Sequence, residues 1–178
     1  MNEMFSLNDI LDQDETILWQ GKPQKFSYTI NSIKPLLLFG IIWLLFDGAM
    51  ILFMTFSGAF SEMPLEVMIV LIVFFAVHLL PVWMLVSKII KVSKEASSLL
   101  YIITDKRLII KKGEGLEYSS INYKDSSEVQ VKISGIFKKV GTISIENAFY
   151  DGIFQFEYIQ KPVEIYRIIK KQMEKEKV

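Results

Sequence analysis

The sequence predicts an α+β membrane protein, in which a two-helix transmembrane hairpin joins a cytoplasmic β-barrel or sandwich that carries a C-terminal α-helix. Three observations predict this class: two long apolar runs, short alternating segments after them, and an amphipathic final segment. The chain has 178 residues, 51% of them hydrophobic, which suits one small domain plus a membrane part. We expect an N-terminal segment at 1–34, the hairpin at 35–87, a basic juxtamembrane linker at 88–98 and the domain at 99–178.

Composition argues against several kinds of site. The chain has no Cys and a single His, His78, which excludes disulfides, thiolate-bound metals and sites that need two histidines. Its 20 basic and 20 acidic residues balance, so a strongly basic nucleic-acid binder is not expected. No carboxylate dyad or Gly-x-Ser-x-Gly elbow is visible in the sequence. We therefore expect no catalytic residues, no metal, no cofactor and no nucleic-acid partner.

Two apolar runs are each long enough to cross a bilayer. Residues 36–56 contain one charged residue, Asp47, and residues 67–86 contain none besides the single histidine. At about 1.5 Å per residue, each run matches a hydrocarbon core of roughly 30 Å. A very apolar hairpin in a soluble core is the alternative, but neither run has a polar face at helical spacing. We expect two uncleaved membrane helices, the second kinked at Pro81.

The distribution of lysines predicts the orientation of this hairpin. The loop at 57–66 carries two Glu and no Lys or Arg. Lys34 precedes the first helix, and Lys88, Lys91 and Lys94 follow the second. Under the positive-inside rule, both termini lie in the cytoplasm and the acidic loop lies outside. The protein is thus expected to be multi-pass.

Asp47 and His78 are the polar residues inside the predicted spans. Counted from the cytoplasmic ends of the two helices, both lie roughly 14–17 Å deep, so an antiparallel hairpin brings them to one level. An unpaired carboxylate at that depth is costly, so we expect a hydrogen bond between them or across an oligomer interface. Two roles remain open: a helix–helix contact worth about 1 kcal/mol, or part of a proton or ion path formed by an oligomer.

The second half of the sequence is rich in strand-forming segments. Five segments have β-branched content or period-two alternation: 101–104, 107–112, 128–134, 142–146 and 153–159. Turns are expected at 105–106, 113–115 and 151–152. The alternation places Val129, Val131 and Ile133 on one face of a strand, and Phe154, Phe156 and Tyr158 on one face of another. It predicts an antiparallel meander with one face exposed to water.

The final segment, about 162–176, has helical periodicity. Pro162 suits the first helical position, and the apolar stripe consists of Ile165, Tyr166, Ile169 and Met173. This helix is expected to close one end of the barrel or sandwich.

Two motifs carry a resemblance to a known family. The stretch YIITDKRLIIKKG at 101–113 resembles the signature strand pair of bacterial pleckstrin-homology-like domains in small membrane proteins. The stretch DETILWQGKP at 14–23 resembles the opening motif of that group. The resemblance spans roughly residues 12–172. It implies a seven-stranded pleckstrin-homology-like barrel interrupted by the helical hairpin, with the N-terminal segment joining the sheet, in a bacterial cytoplasmic (inner) membrane.

The resemblance also implies structural roles for six motif residues: Trp19, Gly21, Pro23, Tyr101, Thr104 and Arg107. We expect Arg107 to pair within the fold rather than to bind a ligand. The turn before it offers only Lys106 as a further cation, fewer than the Lys/Arg cluster of phosphoinositide-binding relatives.

The function expected is a non-enzymatic docking or oligomerisation module at the membrane surface, and the resemblance suggests a link to envelope stress or resistance. Its partners would be the lipid bilayer and either a second copy or another membrane protein. One alternative is an anionic-lipid sensor that uses Lys88, Lys91 and Lys94. The other alternative is an oligomeric proton or ion pathway through Asp47 and His78.

Overall fold

Seven strands and four α-helices lie in the part of the chain that the structure describes, with a single-turn 3-10 helix at Tyr123–Asp125. This structure is a computed structural model and describes residues 9–113, 115, 117–134, 139–147 and 153–176. The elements, in chain order, are β1 (Ile17–Gly21), α1 (Lys25–Phe56), α2 (Leu65–His78), α3 (Leu80–Ser98), β2 (Leu100–Thr104), β3 (Arg107–Lys111), β4 (Tyr118–Asn122), β5 (Ser126–Ser134), β6 (Val140–Asn147), β7 (Ile153–Gln160) and α4 (Pro162–Glu176).

The chain divides into two compact units. The helical unit is Ile30–Val92, and the β-rich unit combines Met1–Thr29 with Ser93–Val178. The predicted turn at 151–152 and the middle residue of the turn at 113–115 lie outside the described residues.

The strands form two antiparallel sheets in chain order, β1-β2-β3-β4 and β5-β6-β7. Strand β1 pairs with β2 although the whole helical unit separates them along the chain, with Trp19 opposite Ile103. Seven strands followed by a C-terminal helix is the element content that the pleckstrin-homology-like resemblance implies, and the structure divides these strands into sheets of four and three. The expectation of an α+β chain with such a β-rich unit is confirmed.

Helix α4 packs onto the second sheet and completes the main core. Its buried residues include Ile165, Ile169 and Met173, and Tyr166 packs partly against the same cluster. Pro162 occupies the start of the helix, where its missing N–H removes no helical hydrogen bond. The bounds of α4 are those given by the sequence pattern.

The prediction of one water-exposed face is wrong for strands β2 and β3 of the first sheet. Tyr101 and Ile103 of β2 face the main core, whereas Ile102 and Ile109 form a second cluster with Ile10 of the N-terminal segment. Both faces of β2 are therefore buried. The physical reason is the near-continuous apolar run of these strands, which is typical of strands covered on two sides.

Two residues depart from the predicted strand faces. Tyr158 has a φ of 51°, and a register irregularity in this part of the β6–β7 pair turns Ile159 rather than Tyr158 toward the core. Ile133 is 55% exposed, although Val129 and Val131 pack against the core. Ile133 lies opposite Gly141, which has no side chain to cover it.

Some element bounds also differ from the sequence prediction. Strand β4 has no apolar alternation, since its sequence is YSSIN, and it is defined by pairing with β3. Helix α1 begins at Lys25 rather than near residue 36, because Gln24 Oε1 accepts the Ser27 backbone N–H (2.6 Å) and caps it. The predicted linker 88–98 is a helical part of α3.

Helix α1 is long and apolar enough to cross a membrane. Helices α2 and α3 meet that criterion only together, as a pair bent by 43° at a short break. The break lies two residues before Pro81, in agreement with the predicted kink. The two-helix transmembrane hairpin stays a prediction.

Candidate functional site

The two sequence motifs meet at a buried ion pair. Arg107 Nε lies 3.0 Å from Glu15 Oε1, and Arg107 Nη2 lies 2.9 Å from Glu15 Oε2. The same Nη2 donates to the backbone oxygen of Ile10 (2.9 Å). The Glu15 side chain is 0% exposed and that of Arg107 is 16% exposed. Arg107 thus binds the N-terminal segment, as a forked donor matched to a carboxylate.

The turn between β2 and β3 completes this cluster. Thr104 Oγ1 donates to Glu15 Oε1 (2.7 Å) and accepts the backbone N–H of Arg107 (2.9 Å). Asp105 Oδ1 accepts the backbone N–H of Thr16 (2.9 Å), and the Asp105 N–H donates to the Thr16 oxygen (3.0 Å). Residues Thr104 to Arg107 therefore hold the N-terminal segment over the outer face of β2 and β3.

Electrostatics keeps this pair charged. Burial by itself raises the pKa of Glu15, but hydrogen bonds from Arg107 and Thr104 outweigh it and lower the pKa below its ordinary value. The hydrogen bond with Glu15 raises the pKa of Arg107. The Arg107 guanidinium is used by contacts within the fold, so this cluster stabilises the structure and is not a ligand site. We call it the structural lock.

The opening motif packs around Gly21. A Cβ on Gly21 would lie 2.4 Å from the Trp19 ring, so only glycine allows the indole to fold over the strand. The Trp19 ring lies 6.3 Å from Phe156, and Tyr101 stacks on the same Phe156 at 4.8 Å. Pro23 is buried just before α1. The motif therefore joins the first strand to the main core.

Two neighbouring cavities open beside this motif. The first has about 380 Å³ and is lined by Trp19, Gly21, Lys22 and Pro23 among others. The second has about 560 Å³ and is lined by Ile133, Lys139, Val140, Pro162 and Val163 among others. The two cavities have four lining residues in common: Gln24, Gln160, Lys161 and Glu164. They form one continuous concave strip in the β-rich unit.

A second polar pair lies inside the helical unit. His78 Nδ1 is 2.7 Å from Asp47 Oδ1, which brings together the two residues that the sequence places at one depth. Asp47 is 1% exposed, and its second oxygen, Oδ2, has no hydrogen-bond partner among the described residues. The His78 ring stacks on Phe74 at 5.0 Å and lies 4.9 Å from Trp43.

The helix break beside His78 has a specific hydrogen-bond pattern. The Val82 N–H donates to the oxygen of Leu79 (2.9 Å), so it is not the partner of the His78 carbonyl. Trp43 Nε1 donates to that carbonyl instead, at 2.6 Å. A side chain of α1 thus satisfies a backbone group that the bend frees.

The lysines of the alternative lipid-sensor hypothesis follow each other at three-residue intervals on α3. Lys91 and Lys94 are exposed, whereas Lys88 is half-buried.

Sequence reasoning missed two acidic residues. Glu15 stands in the opening motif, but nothing in the sequence links it to an arginine 92 residues away. Glu157 of β7 is a polar residue in an alternating strand, and burial and the nearby Glu95 raise its pKa despite Lys112. Within the described residues, no group of three or more His, Asp or Glu side chains is placed to hold a metal ion.

Fold and site together define a class: an α+β protein whose β-rich unit has a four-stranded and a three-stranded antiparallel sheet and carries a structural ion pair. No family profile matches the sequence, and no curated protein matches it. Among solved structures, similarity extends to a protein with a pleckstrin-homology domain from Shewanella loihica, at 21% identity over 43% of this chain and 68% of that one. The TM-score is 0.34.

Two further solved structures show the same level of similarity, with TM-scores of 0.34. One is a pleckstrin homology domain from Shewanella amazonensis, at 23% identity over 42% of this chain and 66% of that one. The other is the C-terminal domain of an unknown protein from Leishmania infantum, at 18% identity over 42% and 67%. Matches this distant assign neither a ligand nor a partner.

Proposed function

We propose that the chain is an integral membrane protein whose pleckstrin-homology-like unit serves as a cytoplasmic docking or oligomerisation module. The observation that carries the membrane part is the inverted polarity of the helical unit. Its acidic residue Asp47 is 1% exposed, whereas Leu45 is 67% exposed and Phe53 is 73% exposed. A soluble protein places its residues the other way round.

The exposure of α1 supports the same proposal. Only 11% of its most apolar stretch is buried, whereas a core helix of a soluble protein is mostly buried. The apolar run is also longer than the 7–15 residues usual in the core of a signal peptide. Where α1 contacts α3, it does so closely, because a Cβ on Gly40 would lie 2.6 Å from Leu85.

Cysteine labelling tests the proposed topology, because the chain has no native cysteine. We expect Ser61→Cys, between α1 and α2, to react with a membrane-impermeant maleimide in intact cells. Lys171→Cys, exposed on α4, should react only after the cells are permeabilised. The unsubstituted protein is the control for background. Labelling of both positions in intact cells, or of neither after permeabilisation, would contradict this topology.

An edge strand supports the docking part. In the described sheet, β4 pairs with β3 and lies at the end of the strand order. Tyr118 of β4 is 43% exposed, and Ser119 and Ser120 are exposed. An exposed edge of this kind accepts an extended segment from a partner chain or from a second copy.

Photo-crosslinking in native membranes tests the docking part. A photoreactive residue at Ser120 should give a discrete adduct, and one at Lys171 of α4 should not. Two differently tagged copies separate self-association, which joins both tags, from a different partner, which mass spectrometry identifies. Equal adducts at both positions, or none at Ser120, would rule out docking through β4.

A further inference from the structure

We propose that the β-rich unit rests on an anionic bilayer surface through the concave strip beside the opening motif. This surface, called the basic strip, consists of three lysines around two exposed apolar residues: Lys22, Lys139, Lys161, Ile133 and Val163. The inference rests on the proposed membrane anchoring and names the lipid surface that the unit contacts.

The apolar part of the strip is exposed for a structural reason. Ile133 is 55% exposed and Val163 is 42% exposed. Gly141, the partner of Ile133 in β6, leaves it uncovered, and a Cβ on Gly141 would lie 2.7 Å from Pro162. The close approach of β6 and α4 thus places both apolar side chains beside one cavity of about 560 Å³.

The backbone holds two of the lysines together. Lys161 has a φ of 51°, a conformation that is unusual for a residue other than glycine. Its N–H donates to the oxygen of Lys139 at 3.3 Å, so the segment before α4 is bonded to the start of β6. Lys139 and Lys161 line the same cavity.

The charge of the strip favours an anionic partner. Lys22, Lys139 and Lys161 line the two cavities, and the acidic residue among the lining residues is Glu164. Glu164 is paired with Lys161 at 3.3 Å, and both side chains are more than 60% exposed. The excess is positive and open to solvent, so headgroup phosphates can reach it.

A bilayer surface fits this combination better than a peptide. It supplies headgroups for the lysines and acyl chains for Ile133 and Val163 at the same time. Gln24 lines both cavities and directly precedes α1. The chain thus passes directly from the lining of the strip into α1, whose apolar run begins at Leu36. Because the domain is tethered to the membrane, weak contacts are enough to hold it at the surface. Each lysine is expected to raise the binding constant by about fivefold.

Single-cysteine labelling of the full chain in nanodiscs tests the inference. A fluorescent NBD group is attached at Ile133→Cys or Val163→Cys, and the nanodiscs contain nitroxide-labelled lipid as quencher. We expect quenching in discs of phosphatidylcholine with phosphatidylglycerol, and less quenching in phosphatidylcholine alone or at high salt. Lys139→Gln with Lys161→Gln should lower the binding constant of the strip by about 30-fold, since each loses about 1 kcal/mol of attraction to the anionic surface.

Two further positions serve as controls. Lys124→Cys is exposed just before β5, whereas Ile133 is near the end of that strand, roughly 25 Å away, so its label should stay unquenched. Leu45→Cys, 67% exposed on α1, should be quenched in all discs.

Each outcome decides between the proposals. Quenching at Leu45 without quenching at Ile133 and Val163 would overturn the basic strip alone, and is expected if the strip is a peptide groove. Quenching at the strip that ignores lipid charge and the two lysine substitutions would overturn it as well. An unquenched label at Leu45 would overturn the membrane anchoring and this inference with it.

Discussion

Arg107 shows how a single residue can look like a ligand site and yet belong to the fold. It follows the Asp105-Lys106 turn as an exposed binding residue could, but its guanidinium lies against Glu15, Asp12 and the Ile10 carbonyl. The sequence predicted that Arg107 pairs internally. It did not predict the partner, because contacts between residues 92 positions apart leave no periodic pattern.

Removing the charge of Glu15 should destabilise the β-rich unit. Glu15→Gln leaves the Arg107 guanidinium without its buried carboxylate, which typically costs roughly 3 kcal/mol. Hydrogen exchange of β2 and β3, measured by mass spectrometry on the detergent-solubilised chain, reports the change. Glu164→Gln is the matched control, since its exposed pair with Lys161 should contribute less than about 1 kcal/mol. Equal effects of the two substitutions would contradict the lock.

The same pair predicts a loss of stability in acid. The pKa of Glu15 in the folded protein lies below its ordinary value of 4.5, so its contribution is complete above pH 4.5. This contribution is lost as the pH falls through the lowered pKa. In Glu15→Gln, the exchange rates of β2 and β3 should depend less on acidification, after correction for intrinsic exchange. An unchanged acid dependence would show that other carboxylates control it.

Glu157 should behave in the opposite way. Burial and the negative Glu95 raise its pKa above the ordinary 4.5, so its favourable contribution is present below pH 4.5 and is lost as the pH rises through the raised pKa. Glu157→Gln should stabilise β7 at neutral pH, by less than about 1 kcal/mol because the side chain is partly exposed. Thermal unfolding at pH 7 and pH 4 checks this. A destabilised variant at pH 7 would contradict it.

At the scale of the element, the helices and strands that could be predicted are those whose own residues carry a periodic pattern or a boundary residue. The alternating strands and the Pro-led helix α4 have period and boundary residues that sequence reasoning can recognise. Strand β4 lacks them, because it is short and polar and owes its conformation to pairing with β3. The positive φ of Tyr158 was also unpredictable, since a non-glycine residue in that conformation carries no composition signal.

The break between α2 and α3 gives a prediction for a single hydrogen bond. Trp43→Phe keeps an aromatic ring beside His78 but removes the N–H that donates to the His78 carbonyl. We expect the backbone amides of Val82 and Trp83 to exchange faster, because the free energy of local opening should fall by about 1 kcal/mol. Trp83→Phe, at a side chain 62% exposed, is the control. Equal exchange in the two variants would show that the indole does not support the break.

At the scale of the whole molecule, the sequence predicted the division into a helical and a β-rich part better than it predicted which distant strands pair. The apolar runs and the alternating segments marked out a helical part and a β-rich part, and the structure has two such units. Only the family resemblance implied that an N-terminal strand joins the sheet. Hydropathy alone does not predict that β1 pairs with β2, because the pairing of strands that are distant in the chain depends on which strand edges remain unpaired. The concave strip was equally hidden, since its lysines come from three distant segments.

The pairing of β1 with β2 also has a consequence for the order of assembly. Thr16 and Asp105 are 89 residues apart, whereas β2 and β3 are joined by a tight turn. Closing the long loop costs roughly 2–3 kcal/mol more entropy than closing the short one, so the local hairpin forms first and β1 arrives last. Until then, Ile102 and Ile109 lack the cover that Ile10 provides. During synthesis, β1 can pair with β2 only after α1, α2 and α3 have been made, because all three helices lie between these strands in the chain. Formation of the β1–β2 pair therefore reports that the whole helical segment has been synthesised.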